Sequence, residues 1–203
     1  MNYIPQIPKW GEEYIEKKIN ELTSYHAWLA STGIKAGLIS PKNEQKIWDE
    51  FIVHSLYFAK IIESLKEKKE QIVDLGTGAG IPGIPISIVS KDKVTLIDNK
   101  KTRIYELERL IAKNSLKNVA AKQEDATKLM KSYENSLFTL RCYLSTRNLI
   151  KKFKKPKKSN IYLVSSSEKN SLNSSEMFHV KQEKFLINKT EYRFIDVITV
   201  KWN

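Results

Sequence analysis

A turn that is almost free of side chains follows one apolar segment of the sequence. The segment IVDLGTGAGIPG, residues 72–83, holds four of the chain's seven glycines. Its apolar lead-in predicts a buried strand, and the proline after the turn predicts the first turn of a helix. A strand–turn–helix of this kind aims backbone N–H groups at whatever lies above the sheet, and glycine lets a ligand approach closely. The spacing therefore indicates a site for a nucleotide-like cofactor.

The glycine spacing by itself fits two classes of cofactor. Gly76, Gly78 and Gly80 match the GxGxG spacing of methyltransferases. The overlapping set of Gly78, Gly80 and Gly83 matches the GxGxxG spacing of dinucleotide-binding folds. Asp74 favours the first class, because a carboxylate attracts the sulfonium and ammonium of S-adenosyl-L-methionine and repels a pyrophosphate. The alternative is that Asp74 only caps the loop. A cofactor site also requires that no side chain of the protein fills the space above the turn.

A second acid ends the next predicted strand. Asp98 closes the segment VTLID, 22 residues after Gly76. An acid at this place in a doubly wound sheet accepts hydrogen bonds from both ribose hydroxyls, which either class of cofactor carries. The alternative is a surface acid that pairs with Lys100 or Lys101.

The segments around the turn predict alternating strands and helices after a helical N-terminal part. Apolar residues at helical spacing predict helices over 12–31, 43–69, 82–90 and 102–116. Short apolar runs predict strands at 71–75, 94–98, 118–123, 137–144, 160–166, 179–187 and 191–202. This order indicates an α/β fold with a doubly wound, mostly parallel, seven-stranded sheet. We expect a helical extension over 1–69, packed on a cofactor-binding core over 70–203.

The positive charge of the chain is concentrated towards its C-terminal end. Lys and Arg exceed Asp and Glu by 12 over 203 residues. Residues 141–203 carry 14 basic and 5 acidic groups, and the excess peaks at KKFKKPKK, residues 151–158. A one-sided basic surface suits a polyanion, because neutralised phosphates release counterions. Nucleic acid is the predicted partner, and a solvated lysine-rich loop is the alternative.

The hydrophobic fraction, the length of the apolar runs and the number of cysteines limit the class of protein further. A hydrophobic fraction of 41% supports a packed core. No run of about 18 apolar residues predicts a membrane span, and the N-terminal residues lack the layout of a secretory signal. Cys142 is the only cysteine, so we expect a cytoplasmic protein without a disulfide or a metal site. Cys142 itself is expected to be a buried, inert thiol on a strand.

Two consecutive segments carry a family resemblance. DLGTGAGIPGIPISIV, followed by VTLIDNKKTRIYEL, resembles the RsmG (glucose-inhibited division protein B) family, and the closing EYRFIDVITVK resembles that family's ERHLVVI ending. These bacterial enzymes use S-adenosyl-L-methionine to methylate N7 of a guanine in small-subunit ribosomal RNA. The resemblance implies a Rossmann-like class I methyltransferase core, S-adenosyl-L-homocysteine as product, and ribosomal RNA or the small ribosomal subunit as partner. We also expect a monomer.

The resemblance implies roles for individual residues. Arg141 falls on the arginine of the family's S-R-A motif, near donor and substrate, and residues 125–127 fall on its R-A-E stretch, which contacts the adenine. With the electrostatic argument above, the predicted donor-binding residues are Asp74, Gly76, Thr77, Gly78, Gly80, Ile81, Asp98, Asp125, Ala126, Thr127 and Arg141. From the charge and the closing strand, the predicted RNA contacts are Lys151, Lys152, Lys154, Lys155, Lys157, Lys158 and Arg193.

The substrate side departs from the family pattern. The family's H-I-L-D-S-L appears here as FIVHSL, so that Phe51 and His54 replace a histidine and an aspartate. The family's N-L-T appears as GLI at 37–39, and Thr139 replaces an acid. These changes keep two alternatives open: an RNA- or ribosome-binding protein that has lost turnover, and a methyltransferase with another substrate. His54 lies on an apolar helix, and we expect it to be structural.

The implied reaction needs no acid or base from the protein. N7 of guanine is a neutral lone pair at neutral pH and can attack a sulfonium methyl without losing a proton. The site must align the reactants and tolerate charge, so neither a general base nor a metal is expected. Arg141 is predicted to position the donor, because its methionine carboxylate needs a cation.

Overall fold

The glycine turn follows an inner strand of a seven-stranded sheet in a computed structural model of the protein. The structure describes residues 5–126, 128–129, 133–152, 159–166 and 177–200. The strands in these residues are β1 (Gln71–Leu75), β2 (Val94–Asp98), β3 (Val119–Gln123), β4 (Ser136–Leu140), β5 (Ile161–Ser166), β6 (Phe178–Leu186) and β7 (Tyr192–Val200). They form one seven-stranded sheet in the order β3-β2-β1-β4-β5-β7-β6. The pairs from β3 to β5 are parallel, whereas β7 runs antiparallel to β5 and β6. The predicted fold class is confirmed.

Helices lie on both faces of this sheet. They are α1 (Glu12–Glu16), α2 (Ile19–Trp28), α3 (Glu44–Ile47), α4 (His54–Ser64), α5 (Gly83–Val89), α6 (Lys101–Lys113) and α7 (Thr146–Lys152). A π-helical segment, Trp48–Val53, joins α3 to α4 in one continuous helix. None of the helices in the described residues is long and apolar enough to cross a membrane.

Alternation along the central strands sends side chains to two separate cores. Ile72 and Leu137 join the core that contains the N-terminal helices, α5 and α6. Val73 and Phe138, their chain neighbours, join the core beside α7. The N-terminal helices thus share a core with the sheet, and the division of the chain at residue 70 stays a prediction.

One strand boundary corrects the sequence prediction. The predicted strand over 137–144 ends at Leu140, and Cys142 has a left-handed backbone with φ +56°. Because the chain leaves the sheet there, Cys142 is exposed and not buried as expected. The same bend carries Tyr143 back over the glycine turn.

Candidate active site

A buried carboxylate stabilises the glycine turn from below. Oδ2 of Asp74 accepts hydrogen bonds from the Thr77 hydroxyl (2.5 Å) and the Gly83 amide (3.0 Å), and Oδ1 accepts one from the Thr139 hydroxyl (2.9 Å). These bonds tie the end of β1 to the start of α5 and to β4. Asp74 is fully buried and Thr77 nearly so. Their side chains bind each other inside the protein, as the loop-capping alternative for Asp74 expects, and a contact of Asp74 or Thr77 with the donor stays a prediction.

The charge of Asp74 still lies under the turn. Burial raises the pKa of its carboxyl to about 6, against the lowering effects of the Thr77, Thr139 and Gly83 hydrogen bonds and of the Arg141 charge. The group is mostly ionised at neutral pH, so its attraction for a cation acts through the turn.

Gly76 and Gly78 differ in what lies above them. Both have a positive φ, of 68° and 59°. A Cβ on Gly78 would meet only the Gly76 carbonyl, at 3.9 Å, whereas a Cβ on Gly76 would lie 2.8 Å from Cδ2 of Tyr143. The expected space free of protein side chains is therefore present at Gly78 and covered by the Tyr143 ring at Gly76.

The later residues of the motif serve packing. A Cβ on Gly83 would lie 2.2 Å from Cδ2 of Leu96, and one on Gly80 would lie 2.5 Å from Cγ1 of Ile84. Ile81 is buried in the core with the N-terminal helices. The absence of a side chain at Gly83 lets α5 approach the sheet closely, and its absence at Gly80 leaves room for Ile84. The amides of Gly80 and Ile81 donate to the Thr77 carbonyl, and a contact of either residue with the donor stays a prediction.

Asp98 ends β2 beside the turn. Its Oδ2 accepts from the Gly78 amide (3.1 Å) and from Nη1 of Arg103 (3.0 Å), and its Oδ1 accepts from the Lys100 amide (3.0 Å). Asp98 is only 3% exposed. The ion pair is with Arg103, in the first turn of α6, and not with a lysine side chain. A ribose hydroxyl that binds Oδ2 has to replace this guanidinium.

The segment after β3 approaches the turn from another side. Asp125 is exposed and Ala126 is buried, and Thr127 lies outside the described residues. Burial, and then the charge of Asp125, raise the pKa of Tyr143. Tyr143 thus contacts Gly76 and feels the charge of Asp125, a position that nothing in the local pattern of the sequence indicated.

Arg141 follows the end of β4 and carries an unpartnered buried group. Its Cζ lies 4.9 Å from the centre of the Phe51 ring, and its Nη1 is buried without a hydrogen-bond partner in the described residues. Burial lowers the pKa of Arg141, although a guanidinium stays charged at neutral pH. A charged N–H in this state is suited to an anionic acceptor.

His54 lies next to the arginines that the sequence predicted for the site. Burial and the charges of Arg141 and Arg193 hold the pKa of His54 well below its usual range. Its Nε2 lies 3.3 Å from the Ser165 hydroxyl oxygen. His54 is thus a neutral, buried residue, as expected, and the fold brings it together with Arg141 and Arg193.

The predicted RNA contacts are partly outside the described residues. Lys151 is exposed on α7, which ends at Lys152. Arg193 forms an ion pair with Glu191 and donates to the Tyr192 carbonyl at 3.0 Å. Four of the predicted RNA contacts lie outside the described ranges: Lys154, Lys155, Lys157 and Lys158.

Comparison with known proteins identifies the family. The family model for rRNA small subunit methyltransferase G matches residues 18–197. The chain belongs to this family. Proteins named ribosomal RNA small subunit methyltransferase G are similar to it: one from Mycobacterium marinum is 32% identical over 88 residues, which is 43% of this chain and 37% of that protein. One from Kineococcus radiotolerans is 26% identical over 134 residues, 65% of this chain and 51% of that protein. The chain thus spans about half or less of these curated relatives.

Solved structures show the same fold as this member of the rRNA small subunit methyltransferase G family. A methyltransferase from Geobacter sulfurreducens superposes with a TM-score of 0.59, covering 98% of this chain and 100% of that chain at 11% identity. The protein yhhF of Escherichia coli, described as a methyltransferase, gives a TM-score of 0.52 over 72% of this chain and 83% of that chain, at 12% identity. At such identities the likeness establishes the Rossmann-like fold.

Gly76→Ala should destabilise the protein more than Gly37→Ala. Their φ angles are +68° and +65°, so both substitutions incur a similar left-handed backbone penalty of about 1–2 kcal/mol. Nothing lies within 4 Å of a Cβ on Gly37, whereas one on Gly76 meets the Tyr143 ring. Urea denaturation should show an extra loss of about 1–3 kcal/mol in unfolding free energy for Gly76→Ala. Adding Tyr143→Ala removes the ring but keeps Cβ, 3.1 Å away, and should remove most of that excess. Equal losses for the two glycine variants would contradict the contact.

The ionisation of Asp74 should make stability fall as pH rises from about 4 to 6. The folded-state pKa of about 6 lies above the ordinary 3.8, so the folded protein binds this proton more tightly. The contribution is complete below the unfolded pKa and is lost as pH rises through the folded one. It amounts to about 3 kcal/mol. Unfolding free energies of the wild type and Asp74→Asn should be compared from pH 4 to 7. A difference between the two that stays constant with pH refutes the raised pKa.

Proposed function

We propose that this protein uses S-adenosyl-L-methionine to methylate N7 of a guanine in small-subunit ribosomal RNA. The observation that carries the proposal is the unpartnered, buried guanidinium N–H of Arg141, whose charge acts on Asp74 beneath a glycine turn that stays open at Gly78. An anionic group is the natural partner for such a donor. The family, and the names of the relatives, supply the reaction class and the RNA.

The donor would bind along the carboxyl edge of β1, β2 and β4. Asp98 would accept from its ribose hydroxyls, which requires Arg103 to release Oδ2. Nη1 of Arg141 would donate to its carboxylate, and the bare backbone of Gly78 lets it lie close to the turn. Asp125 and Ala126 would contact the adenine. The bound donor supplies an electrophilic methyl group on a sulfonium.

The Tyr143 ring has to move away from Gly76 before the donor can bind there. Its ring lies against the glycine where a ligand would cross the turn. The residue sits after the left-handed Cys142, in a bend outside the sheet. We expect the ring to turn away and to border the bound donor.

The substrate would approach from the side of His54 and Arg193. The neutral His54 adds no charge there, and Arg193, which pairs with Glu191 in the structure, would turn to a phosphate of the nucleic acid. Lys151, exposed on α7, would supply a further contact to a phosphate. The protein would position guanine N7 in line with the methyl group and remove no proton. A monomer acting in the cytoplasm fits this role.

One arrangement favours a second candidate, an RNA-binding protein without turnover. The Tyr143 ring covers Gly76, and Arg103 occupies the carboxylate that a ribose needs. Such a protein would bind ribosomal RNA and leave its methylation unchanged.

Calorimetric titration of S-adenosyl-L-methionine tests the donor site. The wild type should bind it, and Asp98→Ala should weaken binding by about 10- to 100-fold, because two charge-assisted hydrogen bonds are lost. Arg103→Ala is the matched control: it frees the same carboxylate and should bind at least as tightly as the wild type. Binding of NAD in place of the donor, or unchanged affinity in Asp98→Ala, would refute the assignment.

Transfer of labelled methyl groups to small ribosomal subunits and to naked ribosomal RNA tests the reaction. The wild type should produce N7-methylguanine at a defined position, and Asp98→Ala should produce it much more slowly. RNA binding without N7-methylguanine would establish the second candidate instead.

A further inference from the structure

An aromatic ring contacts the cation of the site. Cζ of Arg141 lies 4.9 Å from the centre of the Phe51 ring, well within the range of a cation–π contact. Nη1 of the same guanidinium is buried and donates to no acceptor in the described residues. Burial lowers the pKa of Arg141, and the charge of Glu50 offsets only part of this effect. Glu50 forms its own ion pair with Lys42, at 2.7 Å. The contact that the structure shows for this guanidinium is therefore with a ring and not with an acid.

Phe51 is itself fixed in place. It is 9% exposed and belongs to the π-helical segment Trp48–Val53, in which Trp48 and Ile52 are fully buried. Nζ of Lys42 lies 5.8 Å from the centre of the Phe51 ring, so two cations approach one aromatic residue. Because the neighbouring Trp48 and Ile52 are buried in the core, the Phe51 ring has a fixed position and can fix that of the Arg141 guanidinium.

We infer that Phe51 is a positioning residue of the methyl-transfer site, which holds Arg141 so that its guanidinium receives the donor's carboxylate. A carboxylate partner would fix the cation by accepting its N–H groups. A ring attracts the charge through its π-system and leaves those N–H groups free for a ligand. This inference rests on the proposed function, because the anionic group is that of S-adenosyl-L-methionine.

A purely space-filling role for Phe51 makes a different prediction. If the residue only fills the core, an apolar side chain of similar size should serve as well, and any loss should affect every ligand of the site equally. If the ring positions Arg141, only ligands that carry the carboxylate should be affected.

The experiment compares Phe51→Leu, Phe51→Tyr and the wild type by calorimetry with two ligands. S-adenosyl-L-methionine carries the carboxylate, and 5′-methylthioadenosine shares its adenosine but lacks the amino-acid part. Phe51→Leu should bind S-adenosyl-L-methionine about 5- to 30-fold more weakly, and should bind methylthioadenosine as the wild type does. Phe51→Tyr keeps the ring and should retain most of the affinity. In an Arg141→Ala background, Phe51→Leu should have no further effect.

The outcomes separate this inference from the proposed function. Wild-type affinity in Phe51→Leu, or equal losses for both ligands, would overturn the positioning role while the donor site stands. A wild type that binds neither ligand would overturn the proposed function and this inference with it. Thermal unfolding of each variant confirms that the binding measurements are made on folded protein.

Discussion

The buried carboxylate of Asp74 is the interaction on which the site depends. It sits at the end of a central strand, where three hydrogen-bond donors from the turn, α5 and β4 converge on it. A buried charge is costly unless it is hydrogen-bonded, so these donors and the carboxylate require each other. These hydrogen bonds hold the backbone of the turn in place. The turn then directs the Gly78 amide to Asp98. The negative charge that results lies beneath the place where a cationic ligand would bind.

The N-terminal helices complete the site. The hydroxyl of Tyr25, in α2, donates to the Ala79 carbonyl within the glycine turn at 2.8 Å. Phe51, from the segment between α3 and α4, contacts Arg141. The helices thus reach both the turn and the cation at the end of β4. Because their side chains and those of the sheet form one core, loosening that packing would displace the donor side and the substrate side together.

The departures from the family pattern are connected in space. Thr139, in the place of an acid, donates to Asp74, where a second carboxylate would face an ionised one in a buried position. His54, in the place of an aspartate, is neutral between two arginines. Phe51, in the place of a histidine, contacts one of those arginines through its ring. Two of the three changes, Thr139 and His54, thus replace acids, and Nη1 of Arg141 has no hydrogen-bond partner in the described residues.

The local pattern of the sequence was enough to predict the helices, the strands and the position of the glycine turn. Alternating and continuous apolar residues predicted the seven strands of the described residues, because the spacing of apolar residues in a segment shows which of its side chains are buried. The glycine spacing located the turn, and Asp98 lies beside it, whereas Arg141 was singled out by the family resemblance. Contacts between distant side chains were decided by the tertiary structure. Asp74 turns inward because its donors converge there, Tyr143 covers Gly76 because the strand before it ends early, and Phe51 meets Arg141 across 90 positions of the sequence. A hydrophobic pattern states which residues are buried, whereas the partner of a buried polar group is set by how whole elements pack together.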